Sequence, residues 1–356
     1  MLNIFLGYAC NFRCAYCLQD PKGGDAERRR HPVDDFVHRV VPYVKAKGIN
    51  EIAYWGGEPL LYWEAIEAIH VALIAAGVPL AFVKLVTNAS LLEDRHVEAL
   101  NRWGAYVVVS RHPLQGRRPP FGGPGWEQAA RLENSAISFL FTRENLFAWP
   151  WFGELDRLEQ RFGRPFFPYV HWVRATEGCD PTYYLSHAGL DRHLPHLREL
   201  AGLRLDGNRH AHGMFEGHLA KWRKTLGAPS RPPAPLCHAD DHVSVDLAGN
   251  RYGCHHSVRR SLRTGHLFQT EPATPETAAA LRHVHRFVDT AECRRCPIDR
   301  WCRGNCHLSH THDVDCRLAK AKHDVFAWIA QREGEPLAPV HHHAAGTRWL
   351  DRAAPL

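Results

Sequence analysis

From residue 2 to about residue 175, short apolar runs alternate with amphipathic stretches. The runs Asn3–Leu6, Glu51–Trp55, Ala81–Val86, Tyr106–Ser110, Ala136–Phe141 and Phe167–Val173 read as buried strands. Between them, apolar positions recur at helical spacing. Ile66, Ile69 and Leu73 share one face, and Val37, Val40, Val41 and Val44 mark a helix over Val33–Lys47. Pro42 inside that helix predicts a kink or a break. Ser90 is placed to cap the helix carrying His96, Val97 and Leu100. Six strand–helix units predict an α/β fold with a parallel sheet, closed or partly closed into a barrel. In such folds the chemistry gathers where the strands end.

The polar and glycine-rich signals sit at those ends. Cys10, Cys14 and Cys17 follow the first strand, Gly56–Pro59 ("GGEP") the second and Thr87–Asn88 the third, while Ser110 closes the fourth. Beyond the barrel, helices are expected around Leu190–Leu203 and Gly217–Leu226, before the proline-rich "PSRPPAPLC". The expected division is a barrel over 1–178, a helical linker over 179–236, a cysteine-rich domain over 237–330 and a loosely ordered Ala/Pro/His tail over 331–356.

Composition narrows the classes. With 45% apolar residues in 356, the chain is an ordinary globular protein long enough for two cores. No run of about 18 apolar residues occurs and no basic, cleavable leader is visible, so a cytoplasmic protein is expected, with no membrane role. The net charge of +6 is scattered (Arg28–Arg30, Arg117–Arg118, Arg259–Arg260), which argues against nucleic acid and is compatible with an acidic peptide partner. The eleven cysteines carry more information. In a cytosolic chain, clustered cysteines point to metal or redox chemistry rather than disulfides.

Cys10, Cys14 and Cys17 have the spacing C-x3-C-x2-C. A structural zinc site or ordinary iron–sulfur cluster takes four protein ligands, so either a distant residue completes the set or one metal position is left open. The strand followed by "CNFRCAYC", with "GGEP" after the second strand, resembles the radical S-adenosylmethionine superfamily. That resemblance implies a partial (β/α)6 barrel in which the three thiolates hold a [4Fe–4S] cluster. S-adenosyl-L-methionine would chelate the open iron and, with one electron from an external reductant, release a 5′-deoxyadenosyl radical. By the same resemblance Gly56, Gly57 and Glu58 meet the methionine amino group, and Tyr16 lies near the adenine. Asn88 and Ser110 stand nearest the ribose and carboxylate. Where many relatives read Ser-x-Asp-Gly, this chain reads Ser110-Arg111-His112-Pro113, so a substrate contact through that aspartate does not carry over.

The second cysteine group reads C-x11-G-x4-C from Cys237 to Cys254, then C-x2-C-x5-C-x3-C from Cys293 to Cys306, then Cys316. A bare C-x2-C would suggest zinc, but this interleaved pattern resembles the SPASM extension, including Gly249. The resemblance implies two auxiliary [4Fe–4S] clusters, three clusters in all. Cys237, Cys254 and Cys306 would hold the nearer one, and Cys293, Cys296, Cys302 and Cys316 the farther. The nearer set lacks a fourth thiolate. Cys179 and His238 are candidates, and an iron left open for the substrate is favoured.

The function implied is that of a maturase, which abstracts hydrogen from a residue of a ribosomally made precursor peptide and installs an oxidative modification. A sulfatase maturase is the alternative, although its relatives carry an aspartate where this chain has His255. His255 is the candidate base, with an ordinary pKa near 6.5. An electron carrier without radical chemistry is the alternative of another class, and "GGEP" argues against it. Since the sequence begins at the first strand, a separate leader-binding protein or the barrel mouth itself is expected to present the peptide. His341–His343 are expected to be solvated, Cys179 to be a small buried hydrophobe, and Trp149, Trp151 and Trp172 to be barrel core.

Overall fold

The computed structural model describes residues 1–17, 33–110, 125–173, 179–226, 243–253, 263–269, 274–276, 293, 295–302, 309 and 311–334. The first six strands are β1 Leu2–Phe5, β2 Glu51–Trp55, β3 Phe82–Thr87, β4 Tyr106–Ser110, β5 Ser135–Phe141 and β6 Phe167–Trp172. Each pairs in parallel with the next, and none departs from its expected bounds by more than one residue. Between them run α1 Val33–Lys47, α2 Trp63–Ala75, α3 Asp94–Arg102, α4 Trp126–Ala130 and α5 Trp149–Phe162. The helix α1 is unbroken at Pro42. Phe36, Val40 and Val44, four residues apart, are buried along one stripe, and that packing outweighs the lost backbone bond.

The sheet has two unlike faces. On one, Leu2, Ile4, Ile52, Tyr54, Val83 and Leu85 join the helices in a continuous apolar core. On the other, the register aligns Asn3, Ala53, Lys84 and Tyr106 across four strands, followed toward the strand ends by Ser110 opposite Ser138. A strand buried between sheet and helices on one side and turned inward on the other explains why β3 alternates in burial along its whole length.

Past the barrel the chain does not leave it. The helices α6 His187–Leu205 and α7 Arg209–Leu226 pack on one another, and α7 lies against β6. Leu190, Leu197, Leu200 and Trp222 extend the same core. Arg209 pairs with Glu159 and His210 with Asp156, pinning α7 to α5. Asp156, Glu159 and His210 stand close enough to share a cation. The Arg209 guanidinium already neutralises Glu159, so the group is an ion-pair lock.

Then β7 Val243–Asp246 pairs in parallel with β1 on the side away from β2, matching Leu2 to Val243 and Phe5 to Asp246. The strands β8 Asn250–Tyr252 and β9 Arg263–His266 follow antiparallel, giving the order β6-β5-β4-β3-β2-β1-β7-β8-β9 among the described residues. The barrel is therefore partial, because β1 is flanked by β7 rather than by β6. Asp246 fixes the β7–β8 turn, accepting from Ala248 N, Asn250 N, Asn250 Nδ2 and Tyr252 Oη at 2.7–3.0 Å. Gly249 has φ +90° there, and a Cβ would stand 2.6 Å from the His266 ring, so the glycine of the cysteine pattern has a backbone reason. Two last helices, α8 Asp299–Cys302 and α9 His312–Arg332, close on α7 and α6 respectively. No helix among the described residues is long and apolar enough to cross a membrane.

At the centre of the α6–barrel contact, Trp172 Nε1 donates to His193 Nε2 at 2.9 Å, and His193 Nδ1 donates to the Leu146 carbonyl at 2.9 Å. The ring is fully buried, which pushes its pKa down to about 4. An unfolded histidine binds its proton near pH 6.5, so this contribution is complete above that pH and falls by about 3 kcal/mol as pH drops to 4. Denaturant unfolding between pH 7 and 4 should show the decline, and His193→Gln, which can keep both hydrogen bonds, should flatten it. An equal slope in the variant would assign the decline to other groups.

Candidate active site

Three loops meet at the ends of β1, β2 and β3. After β1 the chain turns through residues 7–9, where Ala9 N donates to Tyr62 Oη at 2.8 Å. The turn after β2 binds the same segment, with Gly57 N donating to the Gly7 carbonyl and Glu58 N to the Ala9 carbonyl, both at 2.8 Å. The two loops are so close that a Cβ on Gly57 would lie 2.3 Å from the Ala9 oxygen. Glycine is required here by approach rather than by dihedral angle.

Glu58 ties in the third loop. Its side chain, 1% exposed, accepts from Leu60 N at 3.1 Å, Thr87 Oγ1 at 2.5 Å and Asn88 N at 2.8 Å. The buried carboxylate is thus satisfied by donors on both β2 and β3 sides. Asn88 then reaches back to the cysteine loop, donating from Nδ2 to Asn11 Oδ1 at 2.9 Å, while its Oδ1 accepts from Ser90 N and Oγ. Asn11 Nδ2 donates to Ser90 Oγ at 2.8 Å and closes the circuit. Ser90 therefore braces the cysteine loop, and α3 is capped instead by Glu93 with His96. Ala89 between them holds φ 64°, a left-handed conformation rare for alanine.

The cysteines ride on this frame. Cys10, Cys14 and Cys17 are half-buried on one short loop. Phe12 N donates to Cys10 Sγ at 3.3 Å, and Cys17 N donates to the Cys14 carbonyl at 3.0 Å. Three soft donors on a loop, one already accepting a backbone N–H, fit an iron–sulfur cluster. Tyr16 is buried, its ring edge to face with Tyr183 at 5.8 Å. Asp180 N donates to the Ala15 carbonyl at 2.8 Å, so the segment after β6 also rests on the cysteine loop. Its neighbour Cys179 is 5% exposed, and burial, then Asp180, pushes its thiol up to about 11. Of the expected tryptophans, Trp151 and Trp172 are buried and Trp149 is partly exposed.

In the second cysteine group, Cys296 N donates to the Cys293 carbonyl at 3.1 Å, Cys302 ends α8 and Cys316 lies on α9. Cys237, Cys254, Cys306, His238, His255 and the tail histidines lie outside the described residues. The structure adds one residue that the motifs passed over. Lys84, on the inner face of β3, donates to Tyr169 Oη at 3.2 Å, with its Nζ 4.9 Å from the Tyr169 ring centre and 5.4 Å from that of Trp55. The signal was a lone lysine in the apolar run "FVKLVT".

A parallel sheet with a three-cysteine loop at its rim, braced by "GGEP", defines the class. Residues 4–129 match the family described as the Radical SAM superfamily, so this part of the chain carries a radical SAM domain. Such a domain implies a [4Fe–4S] cluster and S-adenosylmethionine. The chain is 39% identical over 118 residues to the GTP 3',8-cyclase of Stenotrophomonas maltophilia (strain K279a), covering 33% of this chain and 35% of that protein. It is 33% identical over 100 residues to that of Chlorobaculum tepidum, covering 28% of each. The chain thus spans about a third of the length of these curated relatives. Its fold is similar over nearly its whole length to that of native anSMEcpe with bound AdoMet, with a TM-score of 0.65, 16% identity, and 94% and 98% of the two chains covered. The same protein with AdoMet and the Cp18Cys peptide gives a TM-score of 0.63 at 16% identity, covering 93% of this chain and 97% of that one.

Gly57→Ala should break the contact between the two loops and lower iron by about four per chain, the content of one cube, with helical signal retained. Gly217→Ala, where a Cβ meets nothing within 4 Å, should leave iron unchanged and serve as the control. Iron and sulfide analysis beside far-ultraviolet dichroism checks both.

Proposed function

We propose that this chain is a radical SAM peptide maturase that abstracts a hydrogen atom from a residue of a ribosomally made precursor and leaves an oxidative modification, such as a crosslink. The observation that carries the reading is the placement of β7. The strand following Cys237 lies beside β1 in parallel, so it ends at the rim where Cys10, Cys14 and Cys17 stand. A cysteine-rich segment attached there is suited to accept the second electron that an oxidation must remove. Likeness of fold over almost the whole chain to anSMEcpe, a protein whose structure holds a peptide, supports the same reading.

In this proposal Cys10, Cys14 and Cys17 hold the active cluster, which with S-adenosylmethionine supplies, when bound, a 5′-deoxyadenosyl radical. The turn Gly56–Glu58 and the residues Asn88 and Ser110 line the place for the cofactor, while Glu58 keeps the three loops in register. Tyr16 supports the cysteine loop from beneath, near the adenine. Cys293, Cys296, Cys302 and Cys316 form one auxiliary set of the SPASM kind, and Cys237, Cys254 and Cys306 the other. His255 takes the proton as base. An external one-electron reductant and a leader-binding protein are the expected partners, with the cytoplasm as the compartment. Formylglycine formation on a sulfatase remains the second maturase reading, supported by the likeness to anSMEcpe. Cyclisation of GTP is the reading that the GTP 3',8-cyclase relatives favour, resting on a third of their length.

About twelve irons per chain are expected, and the triple variant Cys10→Ala, Cys14→Ala, Cys17→Ala should lose about four and form no 5′-deoxyadenosine. Co-expression with the peptide encoded nearest to this gene, read by mass spectrometry, should show a loss of hydrogen mass. Consumption of GTP under the same conditions would replace the peptide reading. For His255→Ala, product per 5′-deoxyadenosine formed should fall, and an unchanged ratio removes His255 from the mechanism.

A further inference from the structure

The inner face of the barrel carries one cation whose balance is unusual. Lys84 is half-buried on β3, level with Asn3, Ala53 and Tyr106 in the register. Its ammonium is held by the Tyr169 hydroxyl and by the faces of Tyr169 and Trp55. Trp55 is in turn fixed by its Nε1 donating to Asn3 Oδ1 at 3.2 Å. Tyr106 stands edge to face with Tyr169 at 6.5 Å, and burial, then Tyr169, pushes its pKa up to about 12, so it is a neutral hydroxyl. Among the described residues no carboxylate lies within 4.0 Å of the Lys84 nitrogen. Glu51, two residues before Ala53 on β2, shares this face but forms no ion pair with Lys84, and Asp246 on β7 is bound by its own turn.

A partly dehydrated ammonium without a counter-charge is costly, and ring faces return only part of its hydration. A core lysine would be paired, and a surface lysine would point outward. This one points into the barrel, which opens at the rim that carries the cysteine loop.

Resting on the peptide reading above, we infer that Lys84 anchors a carboxylate of the substrate peptide inside the barrel, against the walls formed by Trp55 and Tyr169. Lys84 precedes the end of β3 by three residues, which places the anchor about 10 Å below the rim. An extended peptide covers that depth in about three residues, so the carboxylate belongs about three positions from the modified residue. It is either an acidic side chain or the C-terminus. The overall charge of +6 suits an acidic guest.

The test uses the intact holoprotein and acetylates its lysines with acetic anhydride, following Lys84 by peptide mass mapping. The probes are N-acetylalanine for an α-carboxylate, N-acetylglutamate α-methylamide for a side-chain carboxylate, N-acetylalaninamide as neutral control, and inorganic phosphate. One carboxylate probe should slow acetylation of Lys84 by about tenfold, the size of one charge-assisted hydrogen bond, with the neutral amide inert. Which probe protects identifies the source of the carboxylate. No protection by either, or protection by phosphate as strong, overturns the assignment. By calorimetry, Lys84→Met should weaken the protecting probe about tenfold or more, and Lys84→Arg should weaken it less. Equal affinity in Lys84→Met overturns the inference without need of the acetylation arm. Neither measurement depends on cofactor cleavage, so failure here leaves 5′-deoxyadenosine formation as the separate test of the proposed function.

Discussion

One buried carboxylate sets the geometry on which the site depends. Glu58 receives donors from its own turn and from the end of β3, and its backbone N–H holds the loop after β1. Three loops that would otherwise move independently at strand ends become one rigid rim. The arrangement works only because Gly57 lets backbone meet backbone, and because the carboxylate is removed from water, where each charge-assisted bond is strengthened. A cluster loop needs that rigidity, since three thiols on a free loop would adopt many spacings.

The two faces of the sheet divide the remaining labour. The helix-side face is largely apolar and supplies the cohesion of the molecule. Among the described residues, the inner face is released from that duty and carries Ser110, Ser138, Tyr106, Tyr169, His171 and Lys84 beside apolar residues. Stability and chemistry therefore occupy alternate residues of the same strands, so a one-residue slip of any strand would exchange them.

Much of this could be read in the sequence, for physical reasons. Parallel strands covered by helices must be nearly continuous apolar runs, which made their bounds visible to within a residue. The rim signals stood out because glycine and cysteine are costly unless used. What stayed hidden depends on partners far along the chain. The bracing role of Glu58 needs Thr87 and Asn88, about thirty residues away. Ser90 looked like a helix cap because its neighbours suited one, yet its hydroxyl serves Asn11 and Asn88. Lys84 was concealed by five apolar or hydroxyl neighbours within its strand. The helix through Pro42 shows burial overruling a local penalty. The linker expected over 179–236 contributes helices to the barrel core, a fact written only in how α6 and α7 meet β6 and one another.

The insertion of β7 beside β1 has a consequence for how the chain is made. β1 becomes an interior strand whose two neighbours differ greatly in sequence distance, Glu51–Trp55 on one side and Val243–Asp246 on the other. Closing the longer loop costs only about 1–2 kcal/mol more than the shorter, so the finished sheet hardly registers the difference. The ribosome does. Until residue 243 of 356 has emerged, one whole edge of β1 has no partner, and its apolar residues Leu2 and Ile4 belong to a template open to any passing strand. The hazard of misassembly is thus concentrated in a definite interval of synthesis, and it ends when β7 takes its place beside the first strand.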